Sequence, residues 1–389
     1  ALVPSQALAA CTTTGSSTVC TSTAPAVWTA TVGTGRSDNN RSVDVQSGAG
    51  INTNNAPAIS IGDGGTINVR NGASVTNNST PSGSGPFGTG PNTIEFGSNG
   101  LLTIEQGGRV IANGTNTRAE AVNVHGYGNT IINRGLIQGQ SSAAIWFEDQ
   151  VTGAKNTVDN YGTIQKLGGG SVIGTNGGAG INFINRTGAQ VVGDLSFAGG
   201  NDTLTFEPNS VVTGNINGGG GINDLVLQGI LGSSDTLAGA LRNFTTLTKN
   251  GDGLWTVSGS LTGFTTVTVN DGTLALTGNN KDYTGNVIVR PDGVLEARAQ
   301  SLPVKTVIAN NVNNVQNDGL VRFTQPDDGT YIGQIVGSGA VEKTGTGVLT
   351  LTPAAPAGNT YSGGTRINGG TIAVSADNAL GNANGGVTL

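Results

Sequence analysis

Large and reactive side chains are scarce in this sequence. Its 389 residues include no methionine, one histidine and two cysteines, and aromatic residues make up only 4%. Bulky side chains dominate thick globular cores, so this composition excludes such a core and predicts a thin one. Charged residues amount to 11%, the formal net charge is −6, and no basic stretch occurs. Because nucleic acids and anionic lipids are held by clustered Lys and Arg, we expect no nucleic-acid partner.

The two cysteines, Cys11 and Cys20, lie close together near the start of the sequence. An isolated pair of this kind predicts a small disulfide made in an oxidising compartment, and the alternative is two unpaired thiols. A zinc site would need about four ligands, and the single histidine is distant in sequence. The sequence therefore predicts no metal and no cofactor.

The first residues have the character of a processed export signal. Residues 1–9 are interpreted as a signal-peptide remnant with Ala7-Leu8-Ala9 as its small-x-small cleavage motif, and the alternative is a frayed terminus. Residues 10–42, which contain both cysteines, are expected to cap the N-terminal end of the fold. No uninterrupted apolar run approaches the roughly 18 residues that would span a bilayer.

A short pattern recurs through much of the chain: a few alternating apolar residues, a turn containing Gly or Asn, and another apolar pair. Examples are Val43-Asp44-Val45-Gln46-Ser47-Gly48-Ala49-Gly50-Ile51 and Leu102-Thr103-Ile104-Glu105-Gln106-Gly107-Gly108-Arg109-Val110. The turn residues recur at several steps of 21 to 27 residues, and helix patterns are almost absent because Gly interrupts them. A repeat of this length made of strands and turns predicts a β-solenoid. An antiparallel sandwich is the alternative, and the period favours the solenoid.

Residues 43–246 are predicted to form this solenoid with loop excursions. Residues 79–91 have the Gly, Ser and Pro content of a protruding loop. Residues 113–129 form a second lengthened connection, which carries His125 and Tyr127. Insertions of this kind often bind partners in solenoids, and the alternative is that they are tolerated decoration.

The repeat changes from about Leu247. Residues 247–259 read Leu-Thr-Lys-Asn-Gly-Asp-Gly-Leu-Trp-Thr-Val-Ser-Gly, and residues 341–351 read Val-Glu-Lys-Thr-Gly-Thr-Gly-Val-Leu-Thr-Leu. The second copy continues through Tyr361-Ser362-Gly363-Gly364-Thr365 and Gly370-Thr371-Ile372, and a weaker third copy lies at residues 283–295. These segments closely resemble the passenger-associated strand repeat of bacterial autotransporters, in which a Lys-x-Gly-x-Gly-x-Leu strand leads to a Tyr-x-Gly-Gly-Thr strand and a Gly-x-Leu strand.

This resemblance implies an all-β chain folded as a right-handed parallel β-helix. It also implies secretion through the periplasm and across the outer membrane of a Gram-negative bacterium, to the cell surface or the medium, by a C-terminal β-barrel translocator outside this sequence. Residues 247–389 are assigned to the region with passenger-associated strand repeats. Apolar residues of these repeats are expected to stack between coils, namely Leu254, Val257, Leu274, Leu349, Leu351 and Ile372.

The sequence contains few residues suited to catalysis. A Ser-His-Asp triad would have to combine His125 with Ser141 or Ser142 and with Asp149, and no Gly-x-Ser-x-Gly elbow accompanies them. We therefore interpret His125 as a surface histidine on a loop and predict no catalytic residue. Glu148 and Asp149 could serve a glycosidase, yet neighbouring residues of a strand face opposite ways, so they are interpreted as a solvated corner.

The residues most suited to partner binding form an aromatic and acidic cluster and a nearby loop: Trp146, Phe147, Glu148, Asp149, His125 and Tyr127. An exposed aromatic ring there could stack on a sugar or anchor a partner, although alternation leaves only one of Trp146 and Phe147 outside.

The leading functional hypothesis is an adhesin passenger that binds copies of itself on neighbouring cells, host matrix or glycans, or abiotic surfaces. Rows of Asn, Thr and Asp on a weakly charged face would make many weak hydrogen bonds. The alternative is a secreted polysaccharide- or ester-cleaving enzyme carried on a β-helix.

Overall fold

The structure is a computed structural model that describes residues 10–22, 27–81, 83–148, 151–237, 241–303, 315–353 and 358–389. The proposed signal-peptide remnant therefore lies outside the described residues. Contacts divide the chain into two compact units, Ala1–Asn223 and Asp224–Leu389, which we call unit 1 and unit 2.

Unit 1 consists of short strands joined by turns. Its strands are β1 (Ala10–Thr14), β2 (Ser17–Thr21), β3 (Ser42–Val45), β4 (Gly50–Thr53), β5 (Ile59–Ile61), β6 (Thr66–Val69), β7 (Ser74–Asn77), β8 (Ile94–Phe96), β9 (Leu101–Ile104), β10 (Arg109–Ala112), β11 (Val122–His125), β12 (Thr130–Asn133), β13 (Leu136–Gly139), β14 (Ile145–Glu148), β15 (Lys155–Asn160), β16 (Thr163–Lys166), β17 (Ile173–Thr175), β18 (Gly180–Asn185), β19 (Gln190–Val192), β20 (Leu195–Ser196), β21 (Thr203–Phe206), β22 (Val211–Val212) and β23 (Ile216–Asn217).

Twenty of these strands stack in parallel on three faces of unit 1. The first face runs in the order β2, β3, β6, β9, β12, β15, β18, β21. The second face runs in the order β4, β7, β10, β13, β16, β19, β22. The third face contains β5, β8, β11, β14 and β17. Successive coils of the chain thus add parallel strands to the same faces, which is the architecture of a β-solenoid.

The core of unit 1 is a set of columns filled by alternate residues of each strand. Because strand side chains alternate with a period of two, the apolar half of each strand faces inward. One such column on the first face is in register from coil to coil, and each member is at most 1% exposed: Val43, Ile67, Leu102, Ile131, Val158, Phe183 and Leu204. Burial of one such side chain contributes about 1.5–3 kcal/mol, so a thin column can stabilise a long stack.

Asparagines also stack inside unit 1. Asn133 Nδ2 donates to Asn160 Oδ1 at 2.8 Å, and Asn160 Nδ2 donates to Asn185 Oδ1 at 2.9 Å. The side-chain oxygens of Asn133 and Asn160 also accept the N–H groups of Gly135 and Gly162. Because these amides are hydrogen-bonded, their complete burial is tolerated and it fixes the sharp turn after the first-face strand.

The N-terminal end of unit 1 carries a disulfide-linked hairpin. Strands β1 and β2 pair antiparallel, with Cys11 opposite Cys20, and the two sulfurs are bonded. Strand β2 then pairs in parallel with β3, which begins the first face. The hairpin therefore occupies the edge that the first coil would otherwise leave open.

Unit 2 continues with strands and three short 3₁₀ helices. Its strands are β24 (Asp224–Gln228), β25 (Ser234–Leu237), β26 (Leu241–Arg242), β27 (Thr246–Asn250), β28 (Leu254–Val257), β29 (Thr266–Leu276), β30 (Asn286–Ala297), β31 (Val315–Asn317), β32 (Leu320–Thr324), β33 (Gly329–Tyr331), β34 (Ile335–Val336), β35 (Ala340–Thr344), β36 (Val348–Leu351), β37 (Thr365–Ile367), β38 (Thr371–Val374) and β39 (Val387–Thr388). The 3₁₀ helices are Ala299–Ser301, Asp377–Leu380 and Ala383–Gly385.

Unit 2 is also a stack of parallel strands. One stack contains β24, β27, β29, β30, β31 and β34, and a second contains β25, β28, β29, β30, β32, β35, β37 and β39. The long strands β29 and β30 take part in both, with a register shift between Val269 and Asp271. A third stack contains β33, β36 and β38. The predicted all-β fold class, a parallel β-helix, is therefore confirmed.

One of the six predicted stacking residues, Leu254, was placed wrongly. Val257, Leu274, Leu349 and Leu351 are buried, as predicted. Leu254 is only half-buried, because its neighbour Trp255 takes the inward position of β28. Ile372 stacks in register on Leu349, as predicted, and it is half-buried because β38 is the last strand of its stack among the described residues.

The described part of the chain has no α-helix, in agreement with the sequence pattern. None of its helices has the length and apolar character needed to cross a membrane.

Candidate functional site

The predicted aromatic and acidic cluster lies on β14, on the third face of unit 1. Phe147 is fully buried, whereas Trp146 and Glu148 are half-buried, so alternation leaves only one aromatic residue outward as predicted. Glu148 accepts a hydrogen bond from Asn176 Nδ2 at 2.7 Å. Asp149 lies outside the described residues. The cluster therefore offers one partly covered indole and one carboxylate rather than a broad aromatic surface.

His125 is buried, and its interpretation as a surface loop residue was wrong. It is the last residue of β11 and is 2% exposed. The ring of Phe87, from the excursion at residues 79–91, stacks on the imidazole with ring centroids 4.2 Å apart. Arg36 Nη2 lies 3.5 Å from His125 Nδ1. Two segments distant in sequence thus cover a side chain that local composition placed on the surface.

A pocket of about 330 Å³ opens beside this histidine. Arg36, Asp63, Phe87 and Tyr127 line it together with His125. Tyr127 is 43% exposed and forms part of its rim. The structure thus brings His125 and Tyr127 together, and β11 pairs with β14 so that His125 lies in register with Glu148.

The serines nearest to this histidine in sequence have other partners. Ser141 Oγ donates to the carbonyl oxygen of Gly114 at 3.0 Å, and Ser142 Oγ donates to Glu120 Oε1. A nucleophilic serine needs its hydroxyl within reach of the base. Neither hydrogen bond directs a hydroxyl to His125.

Two buried carboxyl groups lie on this side of unit 1 that were not predicted from the sequence, and Glu95 is the less exposed of them. Glu95 is completely buried, and it accepts hydrogen bonds from Ser60 Oγ at 2.6 Å and Asn92 Nδ2 at 3.2 Å. Burial raises its pKa to about 7, although these bonds, the N–H of Phe87 and the charge of Arg36 oppose the shift. Alternation by itself would place Glu95 on the outside of β8, and the neighbouring excursion that covers it was the signal available in the sequence.

Glu120 is the second such group. It is 6% exposed, accepts a hydrogen bond from Ser142 Oγ, and lies 3.3 Å from Asn123 Nδ2. Burial raises its pKa as well, against these two hydrogen bonds. Both carboxyl groups are enclosed by protein, so they fasten the loops that cover the third face.

Charged side chains at the turn after the first face form triads across coils. Arg70, which follows β6, has its Nε 2.7 Å from Asp44 Oδ1 on the preceding coil. Its Nη1 lies 2.9 Å from Glu105 Oε1 on the following coil. Arg186, which follows β18, repeats this arrangement. Its acids are Asp159 at 2.6 Å and Glu207 at 2.8 Å.

Between these triads, Arg134 follows β12 in the same register position. Its guanidinium carbon lies 4.7 Å from the ring centroid of Tyr161 on the next coil, and that of Arg186 lies 5.4 Å from the same ring on the coil beyond. Such cation–π contacts fix a guanidinium without using its N–H donors.

Unit 2 contains two completely buried lysines at equivalent turns. Lys343 Nζ donates to the carbonyl oxygens of Thr344 at 2.8 Å, Gly345 at 2.7 Å and Gly369 at 3.1 Å. The last acceptor belongs to the next coil, so the ammonium joins two successive turns. Burial lowers the pKa of this lysine.

Lys249 is held in the same way. It donates to the carbonyl oxygens of Asn250, Gly251 and Asp271, the last of which again lies on the next coil. Burial lowers its pKa to about 8, while the charges of Asp271 and Asp252 oppose the shift. These are the lysines of the two Lys-x-Gly-x-Gly segments, so the motif encodes a buried ammonium that closes a turn.

The family model of the passenger-associated-transport-repeat matches residues 269–297 and 341–374. The second segment contains the buried Lys343 and the turn that it closes. Each matched segment also supplies stacked strands of unit 2, as such a repeat requires. The chain fits an autotransporter passenger domain.

One curated protein that is similar to this passenger is the adhesin BmaC autotransporter of Brucella suis biovar 1 (strain 1330). The two are 29% identical over 136 residues, an alignment that covers 27% of this chain and 4% of the adhesin. The chain therefore spans a small fraction of the length of that relative. No solved structure matches the passenger.

The autotransporter passenger family that the repeats match implies an exported protein that is displayed at the cell surface or secreted.

Proposed function

We propose that this passenger is an adhesin, which attaches bacteria to one another, to host matrix or to abiotic surfaces and so supports biofilm formation. The similarity to a curated adhesin and the passenger repeats support this proposal. Gram-negative cells would carry it through the periplasm to their surface, where a second copy on a neighbouring cell is the first partner we propose.

The observation that carries the proposal is a polar row on the first face of unit 1. Seven residues in register point outward, one from each successive coil, and six of them carry a hydroxyl or an amide: Ser42, Thr66, Leu101, Thr130, Thr157, Asn182 and Thr203. Adjacent members are separated by the strand spacing of about 4.8 Å. The row is thus a regular series of donors and acceptors.

Such a row suits adhesion through many weak contacts. Hydroxyl groups donate and accept, so two copies of the row can pair with each other in either direction. Individually weak bonds become strong together once the first of them holds the others close. The low charge of the chain limits repulsion between two such faces.

Surface display of the full passenger in a non-aggregating bacterium tests the proposal. We expect the cells to settle faster and to attach more to immobilised matrix proteins or to plastic than cells that display no passenger. A properly displayed passenger that is inert in all three assays would contradict it.

Two matched sets of substitutions locate the adhesive face. The first set, Thr66→Lys, Thr130→Lys and Thr157→Lys, places three positive charges on the row, and we expect slower settling because the copies then repel one another. The control set, Thr76→Lys, Gln138→Lys and Gln165→Lys, places the same charge on the second face of the same coils. Equal settling of both variants would contradict a role for the row.

The second function, a secreted polysaccharide- or ester-cleaving enzyme, lacks a specific observation in its favour within the described residues. A hydrolytic activity of the passenger that is lost in the His125→Ala or Glu148→Gln variant would replace the adhesive proposal.

A further inference from the structure

In the described part of the chain Arg134 has no acidic partner, whereas Arg70 and Arg186, at the equivalent position of other coils, each pair with two acids. In the two triads of unit 1, one carboxylate comes from the preceding coil and one from the following coil. At Arg134 the preceding position is occupied by Thr103 and the following position by Tyr161. Among the described residues its guanidinium makes no ion pair and no hydrogen bond, and it rests on the Tyr161 ring. Its N–H donors are therefore available to a ligand.

The nearest acid on the preceding coil, Glu105, is already committed to other groups. Its Oε1 accepts from Arg70 Nη1 at 2.9 Å, and its Oε2 accepts the N–H of Asn71 at 3.0 Å. The hydrogen bond with Arg70 is the largest cause of its lowered pKa, and the charge of Arg134 is the smallest. Both oxygens of Glu105 thus have other hydrogen-bond partners than Arg134.

A second arginine without an acidic partner lies across the turn. Arg109 begins β10, is exposed, and among the described residues makes no side-chain hydrogen bond or ion pair. Arg109, Arg134, Tyr161 and Gln190 line one groove of about 390 Å³ along the corner between the first and second faces. The outward column of Arg109 continues through Leu136, Thr163 and Gln190.

Glycines keep the floor of this groove open. A side chain at Gly135 would place its Cβ 2.1 Å from the carbonyl oxygen of Gly108, and one at Gly162 would come within 2.2 Å of the carbonyl oxygen of Gly135. Both distances are well inside van der Waals contact, so these turns admit no side chain. The result is a trough of bare backbone between two columns of side chains.

We propose that this groove binds a carboxylated polysaccharide, with sugar carboxylates paired to Arg134 and Arg109. The planar guanidinium forms parallel hydrogen bonds with a carboxylate, and the Tyr161 ring holds Arg134 in place for that pairing. The Tyr161 hydroxyl and the Gln190 amide can contact sugar hydroxyl groups. This inference rests on the proposed adhesive function and gives it a ligand class.

The shape and charge of the groove favour this ligand over other polyanions. Nucleic acids need many phosphate contacts, whereas the groove offers two cations in a chain of net charge −6. The trough follows the coil stack, whose spacing of about 4.8 Å is close to the length of one pyranose unit, so an extended glycan can follow it. An acidic peptide bound as an added strand would need free backbone partners, and the strands that flank the groove already pair with each other.

Binding of the purified full chain to oligogalacturonate tests the proposal, with dextran, dextran sulfate and polyglutamate of similar length as comparison probes. We expect saturable binding to oligogalacturonate that weakens as salt is added, and much weaker binding to the other three probes. Dextran bound as tightly would overturn the requirement for charge. Dextran sulfate or polyglutamate bound more tightly would overturn the assignment to a carboxylated glycan.

Substitutions in the groove test the arginines. Arg109→Gln with Arg134→Gln should weaken binding by about 10- to 100-fold, since charge-assisted hydrogen bonds are lost. The control pair, Arg298→Gln with Arg366→Gln, removes the same charge from exposed arginines of unit 2 and should bind like wild type. An equal effect of both pairs would overturn the site.

A third variant leaves both arginines in place. Thr103→Asp supplies the acid that the two triads have at this position, so it should pair with Arg134 and weaken binding while the fold, followed by circular dichroism, is unchanged. Full binding by this variant would overturn the role of Arg134.

Cell settling separates this inference from the adhesive proposal. Cells that display the groove variants and still settle, while the purified variants no longer bind oligogalacturonate, support the groove as a glycan site distinct from self-association. If cells that display the wild-type chain do not settle or attach and the purified chain still binds oligogalacturonate, the adhesive proposal fails and the groove is retained.

Discussion

Lys343 donates a hydrogen bond across coils to the carbonyl oxygen of Gly369, 3.1 Å away, while it is completely buried. An ammonium group in such a place must have its three protons satisfied, and here three carbonyl oxygens accept them. The lysine of the passenger repeat thus acts as a clamp between neighbouring turns.

The clamp predicts a clear loss of stability in the Lys343→Met variant. Methionine fills a similar volume but removes the charged donor that three carbonyl oxygens share, which should lower the free energy of unfolding by about 2–4 kcal/mol. Urea unfolding followed by circular dichroism measures this. Lys281→Met, at an exposed lysine of the same unit, is the control. Equal unfolding midpoints for the two variants would contradict the clamp.

The burial of Asp202 predicts that unit 1 is more stable at acidic than at neutral pH. Its Oδ1 accepts the N–H of Ile181 at 2.6 Å, whereas Oδ2 is buried and has no hydrogen-bond partner among the described residues. Burial raises its pKa to about 6, against the N–H of Ile181 and the charge of Lys155. Because the folded-state pKa lies above the ordinary value of 3.8, the stabilising contribution is complete below about pH 4 and is lost as the pH rises through 6.

The Asp202→Asn variant should remove this part of the pH dependence. Asparagines occupy the same register position on earlier coils. The side-chain oxygens of Asn129 and Asn156 each accept a backbone N–H of the preceding coil without carrying a charge. We expect the variant to be more stable than wild type at pH 8 by about 2–3 kcal/mol and to differ little from it at pH 4. Denaturant unfolding at both pH values measures the difference, with the exposed Asp282→Asn as control. A constant difference between wild type and variant across this range would contradict the assignment.

The repeating strands of this fold could be predicted from the sequence. The residues that loop excursions cover could not. Alternation with a period of two identifies the strands and most inward residues, because one face of each strand must be apolar. It failed at Leu254, since Trp255 beside it is also apolar and takes the inside. It also failed at His125, because the ring of Phe87 that covers it comes from an excursion whose path no local pattern specifies.

The candidate groove was missed for a different reason. Arg134 and Tyr161 are unremarkable in the sequence, and their meaning depends on register, which places Thr103 where the paired triads have an acid. Once the strands are aligned coil by coil, the missing acid is visible. The interpretation of Trp146 and Glu148 as partner-binding residues stays a prediction.

The stability of the excursion that covers the third face is predicted to depend on pH through Glu95. Its pKa is raised to about 7 by burial, above the ordinary 4.5, so its contribution to stability is complete below about pH 4.5 and is lost as the pH rises through 7. Ionisation places a charge beneath the excursion that carries Phe87. We expect hydrogen exchange of amides 83–91 to accelerate between pH 6 and 8.5, beyond the intrinsic effect of pH.

The Glu95→Gln variant provides the comparison for this prediction. Glutamine can keep an acceptor for Ser60 but does not ionise, so the additional acceleration should disappear. Amides of unit 2 strands serve as the internal reference. The same acceleration in the variant would show that another group controls the excursion.

The asparagine ladder gives the last prediction. Asn160 lies between Asn133 and Asn185 and hydrogen-bonds to both, while its own oxygen accepts the N–H of Gly162. The Asn160→Ala variant would leave buried polar groups unsatisfied on two coils at once, which should lower the free energy of unfolding of unit 1 by about 2–4 kcal/mol.

The exposed Asn113→Ala variant is the control, because it removes the same group from solvent-facing chain of the same unit. The double variant Asn133→Ala with Asn160→Ala adds a sharper test. If the ladder is coupled, the second substitution costs less than it does alone, since its partner is already gone. Strictly additive losses in denaturant unfolding would mean that each asparagine stabilises only its own turn and that the ladder does not link the coils.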